Sequence, residues 1–303
     1  MLPPVSLPRD DAPHNDLTEW WYYTGHLTAS GGQTYGFELV IFQGNRQADP
    51  TAYAAHFAIT DNGRNQFRWS ERTASGSQVH ASPGFDLNMN GWLMGGSNGH
   101  DRLTADMPDY GIALDLSALK PAALHNGNGI ISFGPAGDSY YYSRTRLAVA
   151  GTLTDHGRPL SVTGLAWMDH QWGNFITGAG GWDWFSIQLD DDTELMLFFL
   201  RDAAGQPAVP YGTLVDTTGH ETALRPGSFG QQARGSWTSP STGIAYPSGW
   251  TITAAGQTLI LTPTVKAQEL NPTQSTGFPY WEGDVTVTGA KTGQGYVELV
   301  GYH

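Results

Sequence analysis

Apolar and polar positions alternate along most of this chain with a period of two. Residues 34–42 (TYGFELVIF) alternate and then become continuously apolar, as expected of a strand covered on both faces. Residues 53–60, 140–149, 193–200, 249–254, 258–263 and 283–288 follow the same rule and predict strands. Turn sequences lie between them: Ser30-Gly31-Gly32, Asp61-Asn62-Gly63, Asp190-Asp191-Asp192 and Ala254-Ala255-Gly256. Strands about 8–12 residues apart with such turns predict barrels or sandwiches. No stretch holds a helical period beyond a turn or two, so the predicted fold class is all-β. A Gly-rich spacer at residues 174–181, with strands of similar length on both sides, predicts a boundary near residues 165–180.

Composition agrees with this reading. The 303 residues include 39 Gly and 18 Pro, and only 14% are charged; Lys and Glu, the common surface helix formers, are scarce. The net charge of −13 argues against nucleic acid and anionic membranes as partners. The absence of Cys excludes disulfides, thiolate catalysis and Cys-ligated metals. No run of eighteen apolar residues predicts a transmembrane segment. Residues 1–13 do not resemble a signal peptide, which leaves the compartment open.

Chemistry-bearing residues concentrate in three segments. The densest is Trp167-Met168-Asp169-His170-Gln171-Trp172-Gly173, followed after the spacer by Gly181-Trp182-Asp183-Trp184-Phe185. Carboxylates among large apolar rings lose solvation, which raises their pKa and makes them candidate proton donors near neutral pH. Aromatic faces also stabilise a developing cation. Strand ends whose Trp rings simply fill a core would have the same composition. The second segment is His14 to His26, where period two puts Glu19, Trp21 and Tyr23 on one face and Trp20, Tyr22 and Thr24 on the other. Glu19 is expected to form an ion pair with an Arg such as Arg144 or Arg201 rather than act as a polarised acid. The third comprises Phe278-Pro279-Tyr280-Trp281-Glu282-Gly283 and the ending Gly295 to Tyr302, with Gln268-Glu269-Leu270 just upstream. Seven of the eleven Trp lie in these segments, which predicts that Glu19, Trp20, Asp169, His170, Trp172, Asp183, Trp184 and Glu282 surround one cleft.

Other motifs carry less. The ten His are scattered and match no metal-ligand spacing, so neither a metal nor a cofactor is expected; only ligands from distant strands could build a metal site. Asp190-Asp191-Asp192 lacks calcium-loop spacing and reads as a hairpin turn. Gly95-Gly96-Ser97-Asn98-Gly99 spells a nucleophile elbow without the following helix that an elbow needs.

The ordered motifs His14 with Thr18-Glu19-Trp20-Trp21-Tyr22, Tyr141-Tyr142-Ser143, Gly164 to Gly173, Trp182-Asp183-Trp184-Phe185, Gln268-Glu269-Leu270, Tyr280-Trp281-Glu282-Gly283 and Gly295 to Leu299 resemble the CrtC/AttH-like family. That family includes carotenoid 1,2-hydratases, a kievitone hydratase, fungal Diels–Alderases and many exported proteins. The resemblance implies two lipocalin-like antiparallel β-barrel domains packed side by side, residues 1–170 and 171–303, with a ligand pocket between them. It also implies a small lipophilic, isoprenoid-like ligand and export to the periplasm or beyond. In the carotenoid hydratases a His and a Trp matching His170 and Trp172, with a Tyr and an Asp on the following strand, are implicated in catalysis. Residues 195–200 (LMLFFL), taken as that strand, carry neither, which turns the resemblance toward the AttH-like branch. The expected function is acid-initiated hydration of a C=C bond, with Asp169 or Asp183 as acid and His170 orienting it or positioning water. Glu19, Trp20, Tyr22, Trp172, Trp182, Trp184, Tyr280, Trp281 and Glu282 are the expected substrate-binding residues. A carrier protein without chemistry and a pericyclase are the alternatives.

Overall fold

The computed structural model describes residues 3–45, 50–78, 83–176, 180–202 and 204–303. The first half forms β1 (Thr18–Ala29), β2 (Thr34–Gly44), β3 (Ala52–Asp61), β4 (Gln66–Ser75), β5 (Phe85–Met89) and β6 (Trp92–Ser97). It continues through β7 (His100–Asp106), β8 (Tyr110–Ala118), β9 (Ala123–Leu124), β10 (Ile130–Ser132), β11 (Asp138–Asp155) and β12 (Arg158–Gly173). These pair in the order β4-β3-β2-β1-β12-β11-β8-β7-β6-β5, with β9 and β10 added to β11. The sheet curls almost into a barrel: Arg72 on β4 donates to the Met89 carbonyl at the end of β5 (3.2 Å).

The second half forms β13 (Trp182–Leu189), β14 (Glu194–Leu200), β15 (Tyr211–Val215), β16 (Glu221–Ala223), β17 (Gly230–Ala233) and β18 (Ser236–Thr238). Then come β19 (Ala245–Pro247), β20 (Trp250–Ala254), β21 (Gln257–Pro263), β22 (Glu269–Leu270), β23 (Tyr280–Gly289) and β24 (Gly293–Val300). The order is β16-β15-β14-β13-β24-β23-β21-β20-β17, with β22 on β23, and β18–β19 form a separate ribbon. The fold is nearly all β: two antiparallel sheets, one a near-barrel and one a half-barrel, as in two lipocalin-like domains. Among the described residues, helix is confined to three single 3₁₀ turns, and no helix is long and apolar enough to cross a membrane.

The pattern of the sequence explains the layering. Each of the seven predicted runs lies on a strand, and the four turn sequences lie at or beside strand ends. Ser97 stands at the β6–β7 hairpin, so a strand follows it and the elbow reading fails. Along β1, Trp21, Tyr23 and Leu27 fill the first barrel, and Phe185, Ile187 and Leu189 of β13 fill the second. The alternate residues, including Tyr22, Trp167, Trp184, Tyr280 and Tyr296, form a third buried cluster where the two sheets face each other. Central strands are thus buried on both faces, which is why their sequences are apolar without interruption. All eight residues of β13 are buried. The sheets approach closely at Gly36, where a Cβ would lie 2.5 Å from Tyr296 Oη and 2.8 Å from Asp284 Cβ.

Candidate active site

Register determines which side chains meet between the sheets. Tyr22 of β1 pairs with Asp169 of β12, which pairs with Ser143 of β11; Trp20 pairs with Gln171, which pairs with Tyr141. Side chains of paired residues share a face, so these residues point together out of the first barrel. Opposite them, Trp184 of β13 pairs with Glu298 of β24, and Glu298 with Glu282 of β23. The two faces enclose a cavity of about 470 Å³, within the ~300–1,000 Å³ range of small-molecule sites. Trp20, Tyr22, Phe42, Trp182, Trp184 and Phe198 supply its aromatic walls; Glu38, Asp169, Gln171, Tyr280 and Glu298 supply its polar groups. No Lys or Arg is among the described lining residues.

The acids therefore lie in an apolar setting without a counter-cation. Burial pushes Glu298 up to about 7 and Glu38 up to about 8, and it pushes Asp169 up to about 7 against three hydrogen bonds. Those bonds come from Tyr141 (2.5 Å), Trp167 Nε1 (2.6 Å) and Ser143. Ser143 in turn meets His125 Nε2 at 2.6 Å, and Tyr141 accepts from Trp184 Nε1 at 2.9 Å. Glu298 accepts one bond, from Trp182 Nε1 to Oε2 (2.7 Å). Glu282, also raised well above the ordinary carboxylate value by burial, accepts from Tyr22 (2.7 Å). Glu38 accepts from Tyr280 (3.0 Å). Three buried atoms here have no partner among the described residues: Glu38 Oε2, Glu282 Oε2 and Gln171 Nε2. Two of these residues, Glu38 and Gln171, line the cavity and offer a ligand or water both an acceptor and a donor.

Of the residues expected at the site, Trp20, Tyr22, Asp169, Trp182, Trp184 and Tyr280 line this cavity, and Glu282 touches it through Tyr22. The others do not reach it. His170 and Trp172 point into the first barrel, on the opposite face of β12 from Asp169, so His170 cannot orient that acid. Glu19 is in the same barrel and bonds to His14 Nδ1 and His170 Nε2, each at 2.8 Å. The expected Arg partners are engaged elsewhere, Arg144 with Asp11 (2.9 Å) and Arg201 with Asp183 (2.5 Å). Asp183 faces the second barrel. Burial raises its pKa, while Arg201, Tyr302 and Gln231 hold it as a bonded structural acid. Trp281 packs in the second core and donates to the Lys266 carbonyl. Strand parity separates these groups, and the single cleft expected for all eight residues becomes a cavity and two cores. The strand after β12 is β13, which carries Asp183, and not residues 195–200. Glu38, Gln171 and Glu298 were not among the expected site residues. Parity with Tyr22, Asp169 and Trp184 identifies them once the pairing is known.

Among the described residues, one further cluster has metal-binding character: His14, Glu19 and His170 bring a ligand atom each within 4.8 Å of one another.

The AttH-like family model matches residues 2–302. A solved AttH protein of Nitrosomonas europaea is 30% identical, with a TM-score of 0.91 over 99% of this chain and 98% of that one. The kievitone hydratase of Fusarium solani subsp. phaseoli is 23% identical over 98% of this chain and 86% of its own length. The solved kievitone hydratase of Nectria haematococca shares the fold at 18% identity, with a TM-score of 0.79 and coverage of 98% and 93%. CghA, solved with Sch210972, is 12% identical with a TM-score of 0.61, covering 94% of this chain and 88% of its own. With a family match running almost from end to end, this chain belongs to the AttH-like family.

Proposed function

We propose that this protein is a hydratase that adds water to a C=C bond of a lipophilic, isoprenoid-like alkene in the cavity between the sheets. The observation that supports this most is Glu298, an acid on an aromatic-walled cavity whose described lining contains neither Lys nor Arg. An acid held neutral near pH 7 by burial can deliver a proton. In the proposed step the Glu298 proton is transferred to one alkene carbon, and the π pair forms the new C–H bond. The adjacent carbon becomes a tertiary cation, stabilised by the faces of Trp20, Trp182 and Trp184. Water held by Asp169 and Gln171 attacks that cation through oxygen and returns a proton to the Glu298 carboxylate. The acid is thereby restored, and atoms and charge balance. Similarity to a relative named kievitone hydratase favours the same reaction class.

The test is incubation of purified protein with a panel of acyclic terpenoid and prenylated alkenes, followed by mass spectrometry. A product heavier by one water, absent with Glu298→Gln, supports the proposal. Tight binding of lipophiles without turnover would support a carrier instead, and an isomeric product of unchanged mass would support a pericyclase.

A further inference from the structure

We infer that His14, Glu19 and His170 form a binding site for a divalent transition metal of the zinc and iron class inside the first barrel. One ligand atom from each of the three residues converges on a common point inside this barrel. Tyr142 Oη is 2.6 Å from Asp11 Oδ1, which Arg144 also contacts at 2.9 Å. A carboxylate paired with a guanidinium accepts, so Tyr142 spends its one proton there. His170 Nδ1 lies 3.2 Å from the same Tyr142 oxygen, and in the tautomer that bonds to it this nitrogen holds the ring proton. In a neutral imidazole the other nitrogen, Nε2, then carries a lone pair. That nitrogen faces Glu19 Oε1 at 2.8 Å, so lone pair meets carboxylate unless a positive centre lies between them. His14 Nδ1 is directed at the same oxygen, also at 2.8 Å. Hydrogen bonding alone would either give up the 3.2 Å contact with Tyr142 or place a second proton on His170, between Trp21 and Trp172 at ring distances of 4.8 and 4.7 Å. One metal ion satisfies both nitrogens and the oxygen together.

The surroundings suit such an ion. Two imidazoles and one carboxylate are the protein ligands of both catalytic-type zinc and non-haem iron sites. Groups behind the ligands hold them in place, as they do at metal sites generally. The His14 backbone N–H and Gln43 Nε2 bond to Glu19 Oε2 (2.8 and 3.1 Å), and the His14 ring stacks on Trp172 at 4.1 Å. His14 Nε2 also lies 3.8 Å from Asp10. Ligand bonds of about 2.0–2.1 Å set ligand atoms roughly 3.3 Å apart in a tetrahedron, so each His nitrogen would move about half an ångström away from Glu19 Oε1. His14 is the ligand that can move, since its side chain is 20% exposed while those of Glu19 and His170 are fully buried. It also gives the ion access from solvent. The three ligands come from positions 14, 19 and 170, which no local spacing motif would detect.

The test uses untagged protein stripped with a chelator. Zn²⁺ titration by calorimetry should show one ion per chain, and Co²⁺ should give a visible absorption band. His14→Ala, at the partly exposed ligand, should weaken binding at least about tenfold and abolish the rise in unfolding temperature that Zn²⁺ gives the wild type. Glu19→Gln should do the same, with circular dichroism confirming that it folds. A wild type that takes up no stoichiometric ion would overturn the inference. So would a His14→Ala protein that binds Zn²⁺ as tightly as the wild type.

Discussion

Replacing Glu298 with Gln tests the electrostatics of the cavity without knowledge of the substrate. The amide has the shape of the neutral acid, and its oxygen can still accept from Trp182 Nε1, but it cannot ionise. In the folded protein Glu298 is raised from its ordinary 4.5 to about 7. At about 1.4 kcal/mol for each tenfold change in proton affinity, that corresponds to about 3 kcal/mol. Between pH 4.5 and 7 the unfolded chain releases a proton that the folded chain keeps. The folded chain therefore binds more protons, and stability falls as pH rises through this window. Above it both states are ionised and the penalty is constant. Water entering the cavity screens the charge, so about 3 kcal/mol is a ceiling. Urea unfolding followed by Trp fluorescence, at about pH 5 and about pH 8.5, should show wild type and Glu298→Gln within about 1 kcal/mol in acid. At the higher pH the variant should be more stable by about 2–3 kcal/mol. Glu38, raised to about 8, keeps a slope of the same sign in both proteins. Parallel pH profiles for the two proteins would refute the reasoning.

Three other substitutions probe the frame around the site. Arg201→Met leaves Asp183 buried without its counter-charge and should cost about 3–5 kcal/mol near pH 8. Burial raises the Asp183 pKa, so the loss should shrink as pH falls and the acid takes a proton; urea midpoints at two pH values check both points. Gly36→Ala inserts a methyl between the sheets where Tyr296 and Asp284 approach, and overpacking there should cost about 1–3 kcal/mol, read from the same midpoints. Tyr22→Phe removes the donor to buried Glu282 and should cost about 1–3 kcal/mol in urea unfolding.

Much of the fold is legible in the chain because the central strands are long and covered on both faces. β2, β3, β11 and β14 announce themselves through apolar runs bounded by turns. The three- and four-residue strands β16 to β19 carry mostly exposed or half-exposed residues, and nothing in their sequence separates them from loops. The site is legible in part. Proximity in sequence singles out the segments holding Asp169 and Trp184, yet neighbours on a strand face opposite ways. Asp169 and His170 share a motif and end on different sides of a sheet, as do Trp184 and Asp183. Which side faces the cavity depends on how the two sheets pack, and that information lies in contacts such as Tyr22 with Glu282, 260 positions apart. Glu38 illustrates the limit: it lies within a strand that reads as ordinary core, and only the facing Tyr280 reveals its role.

The most direct test of the proposed chemistry is the pH dependence of hydration in ¹⁸O-labelled water, using whichever alkene in the panel turns over. If Glu298 is the acid, the product carries the label at the new hydroxyl, and the rate falls as pH rises through about 7. Glu298→Gln then loses about 10²–10⁴-fold in rate while retaining ligand affinity. A rate that is level through this range, or a Glu298→Gln protein that hydrates the same alkene at the wild-type rate, would contradict the account.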